Sequence, residues 1–298
     1  MAETTGITWT DSTLNPWIGC RRVSPGCKLC YAEVQDSRKR WEGRTHWGNE
    51  PRMRTSRSTW NNALRWNKAA AALGKRRLVF CASLADVFED NAQLVPWRAE
   101  LLALIRATPA LTWQLLTKRP ENIARLWPEA MPDGYTASAG ASKTITGCPP
   151  PSAFAWPNVW LGTTAEDQQR ANERIPELLA VQAAVHWVSA EPLLGPVDLT
   201  PWLGVVDGMP ATSPGVRWVI AGGESDLGAT DEARPFDLQW ARDLQAQCAA
   251  AGAAFFMKQK GSNVVDRGAP ISCLGKGDDP AVWPAELQRQ EFPSEVVA

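Results

Sequence analysis

Short apolar runs recur along the chain, and each ends in polar residues and is followed by a stretch with helical spacing. Near-continuous apolar strands that alternate with helices are typical of a parallel sheet covered on both faces. The clearest helix, residues 96–107, lies between the first two runs. The pattern therefore predicts repeated βα units, with strands at residues 78–83, 112–117, 159–164, 185–189, 216–221 and 253–258.

A further strand is predicted at residues 17–20, ahead of these six. About seven strands in βα repetition favour an α/β fold, a complete or partial (β/α) barrel. A doubly wound open sheet is the alternative, because strand order cannot be read from the pattern. We expect the barrel to occupy residues 1–265, with an irregular insertion at 132–157 that is rich in Pro, Gly, Ser and Thr. Residues 266–298 lack periodicity and are expected to form an irregular tail.

Polar residues directly follow each predicted strand. In a parallel barrel the carboxyl ends of the strands meet at one rim, and this rim carries the chemistry. Such residues are also common helix N-caps and turn formers, which is the simpler explanation of any single one. Six such strand ends together predict a polar pocket, because buried charges need partners or ligands. The residues expected there are Ser83, Asp86, Lys118, Thr163, Thr164, Glu166, Glu191, Glu224 and Lys258.

The composition predicts a globular, cytoplasmic protein with a sizeable core. The chain has 298 residues, of which 44% are hydrophobic. No apolar run approaches the roughly 20 residues needed to cross a bilayer. The N-terminus also lacks the charged and then apolar layout of a signal peptide. We therefore expect no membrane partner.

The net charge of −1 hides a strongly basic segment, residues 38–77. This segment carries twelve Lys or Arg residues and two Glu residues, and its tryptophans lie between the cations. Cations and aromatic rings together can pair with phosphates and stack on bases, which would make the segment a nucleic-acid surface. The alternative is a solvated helical face whose Trp side chains point inward. The tryptophans are Trp41, Trp47, Trp60 and Trp66.

Three of the seven cysteines, Cys20, Cys27 and Cys30, form a C-x6-C-x2-C motif between a predicted strand and a predicted helix. Three thiolates on one loop can ligate three irons of a 4Fe-4S cluster and leave the fourth iron open. Two arginines and a lysine inside the motif would offset the negative charge of the cluster and its thiolates. The motif therefore predicts an iron–sulfur site.

A zinc site is the alternative use of these cysteines, since C-x2-C is a common half of one. Zinc would need a fourth ligand, and the chain has two histidines. His46 lies near the motif, whereas His186 lies within an apolar run and is expected to be a core residue. The other four cysteines are scattered, with no second C-x2-C. Inert or disulfide-forming thiols are the third alternative.

Seven segments resemble the successive motifs of a known family: ITWTDSTLNPWIGCRRVSPGCKLCYAE, LADVFED, QLLTKRP, VWLGTTAED, SAEPLLGPVDL, VIAGGES and FFMKQKG. It is a phage-associated family of largely uncharacterised three-cysteine proteins, and the likeness covers about residues 7–262. The family is similar to radical S-adenosylmethionine (SAM) enzymes, with spore photoproduct lyase as the nearest functional analogue. The six-residue gap between the first two cysteines departs from the usual three-residue gap of that superfamily.

The resemblance implies two cofactors, a 4Fe-4S cluster and SAM. Cys20, Cys27 and Cys30 would hold the cluster, and the amino and carboxylate groups of SAM would chelate its open iron. An external electron donor of the flavodoxin or ferredoxin type would supply an electron that splits SAM into methionine and a 5′-deoxyadenosyl radical. This radical would abstract hydrogen from a substrate.

The resemblance also implies roles for the residues of the rim. Asp86 or Ser83 would hold the methionyl amino group of SAM, and Lys118 would pair with its carboxylate. The ribose would be hydrogen-bonded by Thr163, Thr164 or Glu166. The candidate catalytic residues, which would contact the substrate, are Glu191, Glu224 and Lys258.

The basic segment and the phage association together predict a nucleic-acid base or nucleotide as the substrate, in DNA modification or repair. A base within a duplex would have to be flipped out to enter the mouth of a barrel. Peptide and small-molecule substrates are further alternatives. The alternative to an enzyme is a non-catalytic phage protein that binds nucleic acid through residues 38–77 and has a structural zinc or cluster site.

Overall fold

A large parallel sheet frames the structure, a computed structural model that describes residues 5–127, 156–204, 215–226, 233–272 and 275–294. The predicted insertion lies outside the described residues except for its last two positions. The described strands are β1 (Ser12–Thr13), β2 (Trp17–Ile18), β3 (Met53–Arg54), β4 (Arg77–Cys81), β5 (Leu111–Thr117), β6 (Val159–Thr164), β7 (Val185–Ala190), β8 (Val216–Gly222), β9 (Phe236–Asp237), β10 (Ala254–Gln259), β11 (Val264–Asp266) and β12 (Ala269–Ile271). The described α-helices are α1 (Tyr31–Lys39), α2 (Arg57–Ala72), α3 (Val95–Arg106), α4 (Ile123–Leu126), α5 (Gln168–Leu179) and α6 (Leu238–Ala251).

The strands of the large sheet lie in the order β1, β4, β5, β6, β7, β8, β10, and every neighbouring pair is parallel. The order follows the chain without reversal, and the sheet curls into a half-barrel. A doubly wound sheet would reverse its order at a switch point, so that alternative is excluded. The prediction of a mixed α/β fold compatible with a partial (β/α) barrel is confirmed, and six of the seven strands coincide with predicted apolar runs.

The strand predicted at residues 17–20 is shorter than expected and does not belong to the large sheet. β2 covers Trp17 and Ile18 and pairs antiparallel with β3 in a separate two-stranded sheet. The seventh parallel strand is instead β1, in which Ser12 pairs with Val79 of β4. β1 consists of one Ser and one Thr. A pair of polar residues gives no apolar run, so the hydrophobic pattern does not reveal this strand.

Helices cover one face of the half-barrel. α2 and α3 share a core cluster with β4 and β5, and α5 and α6 share a second cluster with β7, β8 and β10. In α2 the apolar positions lie three or four residues apart, so that Trp60, Ala63 and Trp66 face the sheet. Two tryptophans of the basic segment are therefore core residues, as the solvated-face interpretation expects.

The other face of the sheet carries an aromatic layer. Trp160, Trp187, Trp218 and Phe256 are buried there, and Trp9 from the N-terminal segment packs on them. Gly162 of β6 lies opposite Trp187 of β7, and a Cβ at this glycine would lie 2.3 Å from the indole. The glycine therefore makes room for the Trp187 ring. This layer fills the half-barrel beneath the strand ends.

The C-terminal segment packs back on the last strands of the large sheet. β11 and β12 form a small sheet with β9, and beyond them Trp283 and Leu287 are buried in the core cluster of α6 and β10. The indole of Trp218 donates to the carbonyl of Glu291 at 2.9 Å. No helix in the described part of the chain has the length and apolar content needed to span a bilayer.

Candidate functional site

The three cysteines of the motif line one pocket at the carboxyl ends of the parallel strands. The pocket has a cavity volume of about 120 Å³ and opens to solvent. It is lined by Phe80 of β4 and Leu116 of β5, and by polar side chains from the ends of β4, β5 and β6 and from residues 21–22. The polar and charged residues that line it are Arg21, Arg22, Ser83, Asp86, Thr117, Lys118, Arg119 and Thr164.

Cys20 is placed by a close contact between two loops. Gly19, at φ +112°, lies so near residues 46–52 that a Cβ would be 2.1 Å from the carbonyl oxygen of His46. Only glycine adopts this conformation without strain. The Cys20 carbonyl then accepts a hydrogen bond from the Gly48 amide at 2.9 Å. The thiol is thereby turned toward the pocket, where Arg119 Nη1 lies 3.5 Å from its Sγ.

Arg119 belongs to an ion pair that joins two strand ends. Its Nη1 lies 2.7 Å from Oδ2 of Asp86, which follows β4. Asp86 also accepts hydrogen bonds from the Thr117 hydroxyl at 2.7 Å and from the Lys118 amide at 3.1 Å. The carboxylate of Asp86 is thus occupied by protein donors, although it lines the pocket.

A second ion pair holds the middle of the cysteine loop, residues 20–30. Glu166 follows β6, is fully buried, and accepts from Arg174 of α5 at 2.8 Å and from the Gly26 amide at 3.1 Å. A Cβ at Gly26 would lie 3.0 Å from the Glu166 carboxyl group. This glycine therefore lets the backbone beside Cys27 rest on the strand end.

A third ion pair reaches the same loop from β8. Glu224 is buried, and its Oε2 accepts from Arg234 Nε at 2.9 Å. The Nη1 atom of Arg234 donates to the carbonyl of Pro25 at 3.0 Å. Three strand ends, those of β5, β6 and β8, thus fix the cysteine loop through three separate ion pairs.

Cys30 lies at the N-cap position of α1. The unpaired amides of a helix N-terminus favour a negative charge, so this position suits a thiolate. Burial nevertheless raises the pKa of Cys30, against the lowering effect of Lys118. Burial also raises the pKa of Cys20 to about 12, against the lowering effect of Arg119. A bound metal would displace the protons of both thiols.

Lys118 follows β5 and is half-buried in the wall of the pocket. Among the described residues, no carboxylate or hydrogen-bond acceptor is paired with its ammonium group. Its charge acts on Cys30 and on Glu166. A half-buried cation beside the thiols is therefore available to an anionic ligand.

Glu191 and Lys258 form a separate pair next to the pocket. Their Oε1 and Nζ atoms lie 2.9 Å apart, and both side chains are partly accessible. The pair passes over Gly222 at the end of β8, where a Cβ would lie 2.5 Å from Glu191 Oε1. Glu191 also adds to the effect of burial in raising the pKa of Tyr31, which lines the pocket. The pair therefore lies at the edge of the site.

The structure separates the predicted site residues into two groups. Lining the pocket with the three cysteines are Ser83, Asp86, Lys118 and Thr164. Thr163 is fully buried and donates to the Thr117 carbonyl at 2.9 Å, so it joins β6 to β5. Outside the lining of the pocket are Thr163, Glu166, Glu191, Glu224 and Lys258.

Other residues of the site were not among the predicted ones. Tyr31, the first residue of α1, donates its hydroxyl to the Ser83 carbonyl at 2.6 Å. Arg119 directly follows Lys118 in the polar stretch after β5, a signal that could have identified it. Arg174 of α5 and Arg234, which precedes β9, are distant along the chain from the cysteines. Nothing in the sequence around them indicates that they contact the site.

The two histidines supply no fourth ligand for zinc. His46 is buried outside the pocket, and its Nδ1 lies 2.9 Å from Asp36 Oδ1. His186 is bonded through Nε2 to the Val181 carbonyl at 2.8 Å, which confirms it as a satisfied core residue. In the described ranges, no three His, Cys, Asp or Glu side chains are grouped as ligands of one metal ion.

Comparison with protein families gives a match over almost the whole chain. A family model with the description "Protein of unknown function (DUF5131)" matches residues 4–286. No curated protein and no solved structure matches the chain.

Proposed function

The chain belongs to the DUF5131 family, and we propose that it is a radical SAM enzyme built on a partial (β/α) barrel. One observation carries the proposal. The thiols of Cys20, Cys27 and Cys30 line one pocket at the carboxyl rim of the half-barrel, beside the half-buried cation of Lys118. This rim is where a (β/α) architecture places its chemistry.

The donor set fits a 4Fe-4S cluster better than zinc. Each cysteine of such a cluster ligates its own iron, and three cysteines leave one iron open. The sulfurs therefore do not need to converge on one point, as they would around a single zinc ion. Arg119 beside Cys20 and Lys118 beside Cys30 supply positive charge that offsets the charge of thiolates. All three cysteines are free thiols.

When bound and reduced by the external electron donor, a 4Fe-4S cluster would supply the one electron that cleaves SAM into methionine and a 5′-deoxyadenosyl radical. The protein would bind and orient SAM. Lys118 would pair with the methionyl carboxylate, and Thr164 would bond the ribose. Ser83, whose hydroxyl is also bonded to Asn15, would accept from the amino group. All three line the pocket. Asp86 and Glu166 instead hold the cysteine loop, because arginines and backbone amides already occupy their carboxylates.

The substrate side of the site is assigned to Glu191 and Lys258. They are close enough to exchange a proton, and both are partly accessible beside the pocket. Glu224 is a positioning residue in this proposal, because Arg234 holds its carboxylate and connects it to the cysteine loop. An extruded base or nucleotide would enter over the pair of Glu191 and Lys258.

A nucleic-acid substrate is supported by the outer face of α2. Residues 51–85 contain no Asp or Glu, and the exposed positions of α2 include Arg57, Arg65 and Lys68. These positions recur at helical spacing and form one basic stripe. The helix begins just after β3, which pairs with β2 next to Cys20, so the stripe starts near the rim. Arg52 does not belong to it, because it is buried against Glu89.

The electron donor is proposed to dock on the cysteine loop itself. Arg21, Arg22 and Lys28 are exposed there, within a few residues of the thiols. Arg22 is paired with Glu33 at 2.7 Å, which leaves Arg21 and Lys28 as the more available cations. Their charge favours an acidic carrier of the flavodoxin or ferredoxin type.

Iron analysis of anaerobically purified protein tests the cluster. We expect brown protein with about four irons per chain, as a cysteine-ligated cubane requires. Cys27→Ala should lose most of this iron, whereas Cys248→Ala should keep it, because Cys248 lies in α6 within the core. Colourless protein that contains zinc would instead support a non-catalytic protein with a structural metal site.

A further inference from the structure

Among the described side chains, Arg119 is the one whose guanidinium contacts both a carboxylate at a strand end and a cysteine sulfur. Its Nη1 lies 2.7 Å from Asp86 Oδ2 and 3.5 Å from Cys20 Sγ, and its Nη2 donates to the Arg21 carbonyl. The residue is 6% exposed. Among the described residues, the hydrogen-bond partner of the Cys27 sulfur is the neutral Ser24 hydroxyl at 3.9 Å, not a charged donor.

We propose that Arg119 sets the reduction potential of the iron–sulfur cluster through its hydrogen bond to the sulfur of Cys20. The inference rests on the proposed function, because it requires a cluster at the cysteines. A reduced cluster carries one more negative charge than an oxidised one. A charged N–H donor at a ligating sulfur stabilises that extra charge and makes the potential less negative. The step is the transfer of one electron, with no bond made or broken.

The surroundings of Arg119 preserve this contact. Burial limits screening by solvent ions, so the charge acts on the sulfur more strongly than an exposed charge would. Asp86 and the Arg21 carbonyl each hold one end of the planar guanidinium, which orients the remaining N–H toward Cys20. A lysine has a single ammonium and cannot meet all three partners in this geometry.

Three variants separate the hydrogen bond from its side effects. Arg119→Gln combined with Asp86→Asn removes both charges of the pair, so that no unpaired buried charge remains to unfold the site. Arg119→Lys keeps the positive charge and loses the fixed fork. Arg21→Gln is the matched control, since it removes an exposed cation from the same loop without removing a contact to sulfur.

The measurement is a redox titration of the anaerobic protein, followed by the electron paramagnetic resonance signal of the reduced cluster. We expect the double variant to have a more negative midpoint potential than the wild type, Arg119→Lys an intermediate value, and Arg21→Gln little change. If the double variant fails to assemble a cluster, the midpoint potential of Arg119→Lys is compared with that of the wild type instead.

An unchanged midpoint in the double variant, or in Arg119→Lys where that variant decides, would overturn the inference while leaving the cluster in place. A shift in Arg21→Gln as large as that of the double variant would also overturn it, because loop charge alone would then explain the potential. Wild-type protein without iron would instead remove the proposed function and, with it, the premise of this inference.

Discussion

Single glycines determine how closely site elements and core side chains can approach each other. Gly26 lets the cysteine loop rest on the Glu166 carboxyl group, and Gly162 leaves space for the ring of Trp187. Neither position has a left-handed backbone that would require glycine. At both positions the requirement is space for a neighbouring side chain, and that neighbour is distant along the chain or on another strand.

Gly162→Ala should destabilise the fold by about 1–3 kcal/mol, the usual cost of overpacking a core. The added methyl group would lie 2.3 Å from the indole of Trp187, so the aromatic layer would have to shift. Gly195→Ala is the control, because nothing lies within 4 Å of the position of its Cβ. Urea denaturation of both variants measures the difference, and equal midpoints would contradict the packing shown here.

The sequence predicts the three cysteines and Lys118 of the pocket better than it predicts the arginines beside them. The cysteines are visible because three of them lie within eleven positions, and Lys118 because it directly follows an apolar strand. The pairing of Glu224 with Arg234, and of Glu166 with Arg174, depends on where elements meet in three dimensions. The sequence predicts that carboxylates at strand ends contact ligands, whereas three of them, Asp86, Glu166 and Glu224, are paired with arginines and hold the cysteine loop.

At the level of elements, the cysteine loop is held in place by the parallel sheet. It has one short 3-10 turn of its own, and its position comes from the ends of β5, β6 and β8. Six strands of the large sheet can be predicted, since each coincides with a short apolar run. β1 cannot, because two polar residues give no periodicity, and its place in the sheet depends on pairing with β4.

Glu166→Ala should lower both stability and iron content. The change leaves the Arg174 charge unpaired in a buried position, which costs about 3–5 kcal/mol, and it frees the Gly26 amide. Asp167→Ala is a neighbouring control. Asp167 caps α5 by accepting from the Arg170 amide, so its loss should cost about 1 kcal/mol.

Iron per folded chain distinguishes the two changes, and it should be measured below the unfolding temperature of both variants. We expect Asp167→Ala to match the wild type and Glu166→Ala to contain less iron. Equal iron content in the two variants would show that the ion pair stabilises the fold without positioning the cysteines.

At the scale of the whole molecule, positive charge is concentrated on one segment although the chain as a whole is nearly neutral. The chain has a net charge of −1, yet α2 and its flanks carry cations without a nearby acid in sequence. Since Trp60 and Trp66 face the core, any binding to nucleic acid would come from the exposed cations rather than from stacking on these rings.

Reversal of the basic stripe should weaken binding to DNA. Arg57→Glu, Arg65→Glu and Lys68→Glu together should make the dependence of log K on log salt shallower by about 0.9 for each lost phosphate contact. The control reverses three exposed cations of the C-terminal segment, Arg267, Lys276 and Arg289. Fluorescence anisotropy over a salt series measures both. An equal effect of the two triple variants would argue against a specific surface on α2.

The most direct test of radical SAM chemistry is the amount of 5′-deoxyadenosine formed when the reduced, iron-loaded protein is mixed with SAM. We predict formation of 5′-deoxyadenosine and methionine in equal amounts, loss of the product in Cys27→Ala, and a reduced yield in Lys118→Ala, because the carboxylate of SAM loses its cation. Iron-loaded wild-type protein that cleaves no SAM under any reductant would contradict the proposal.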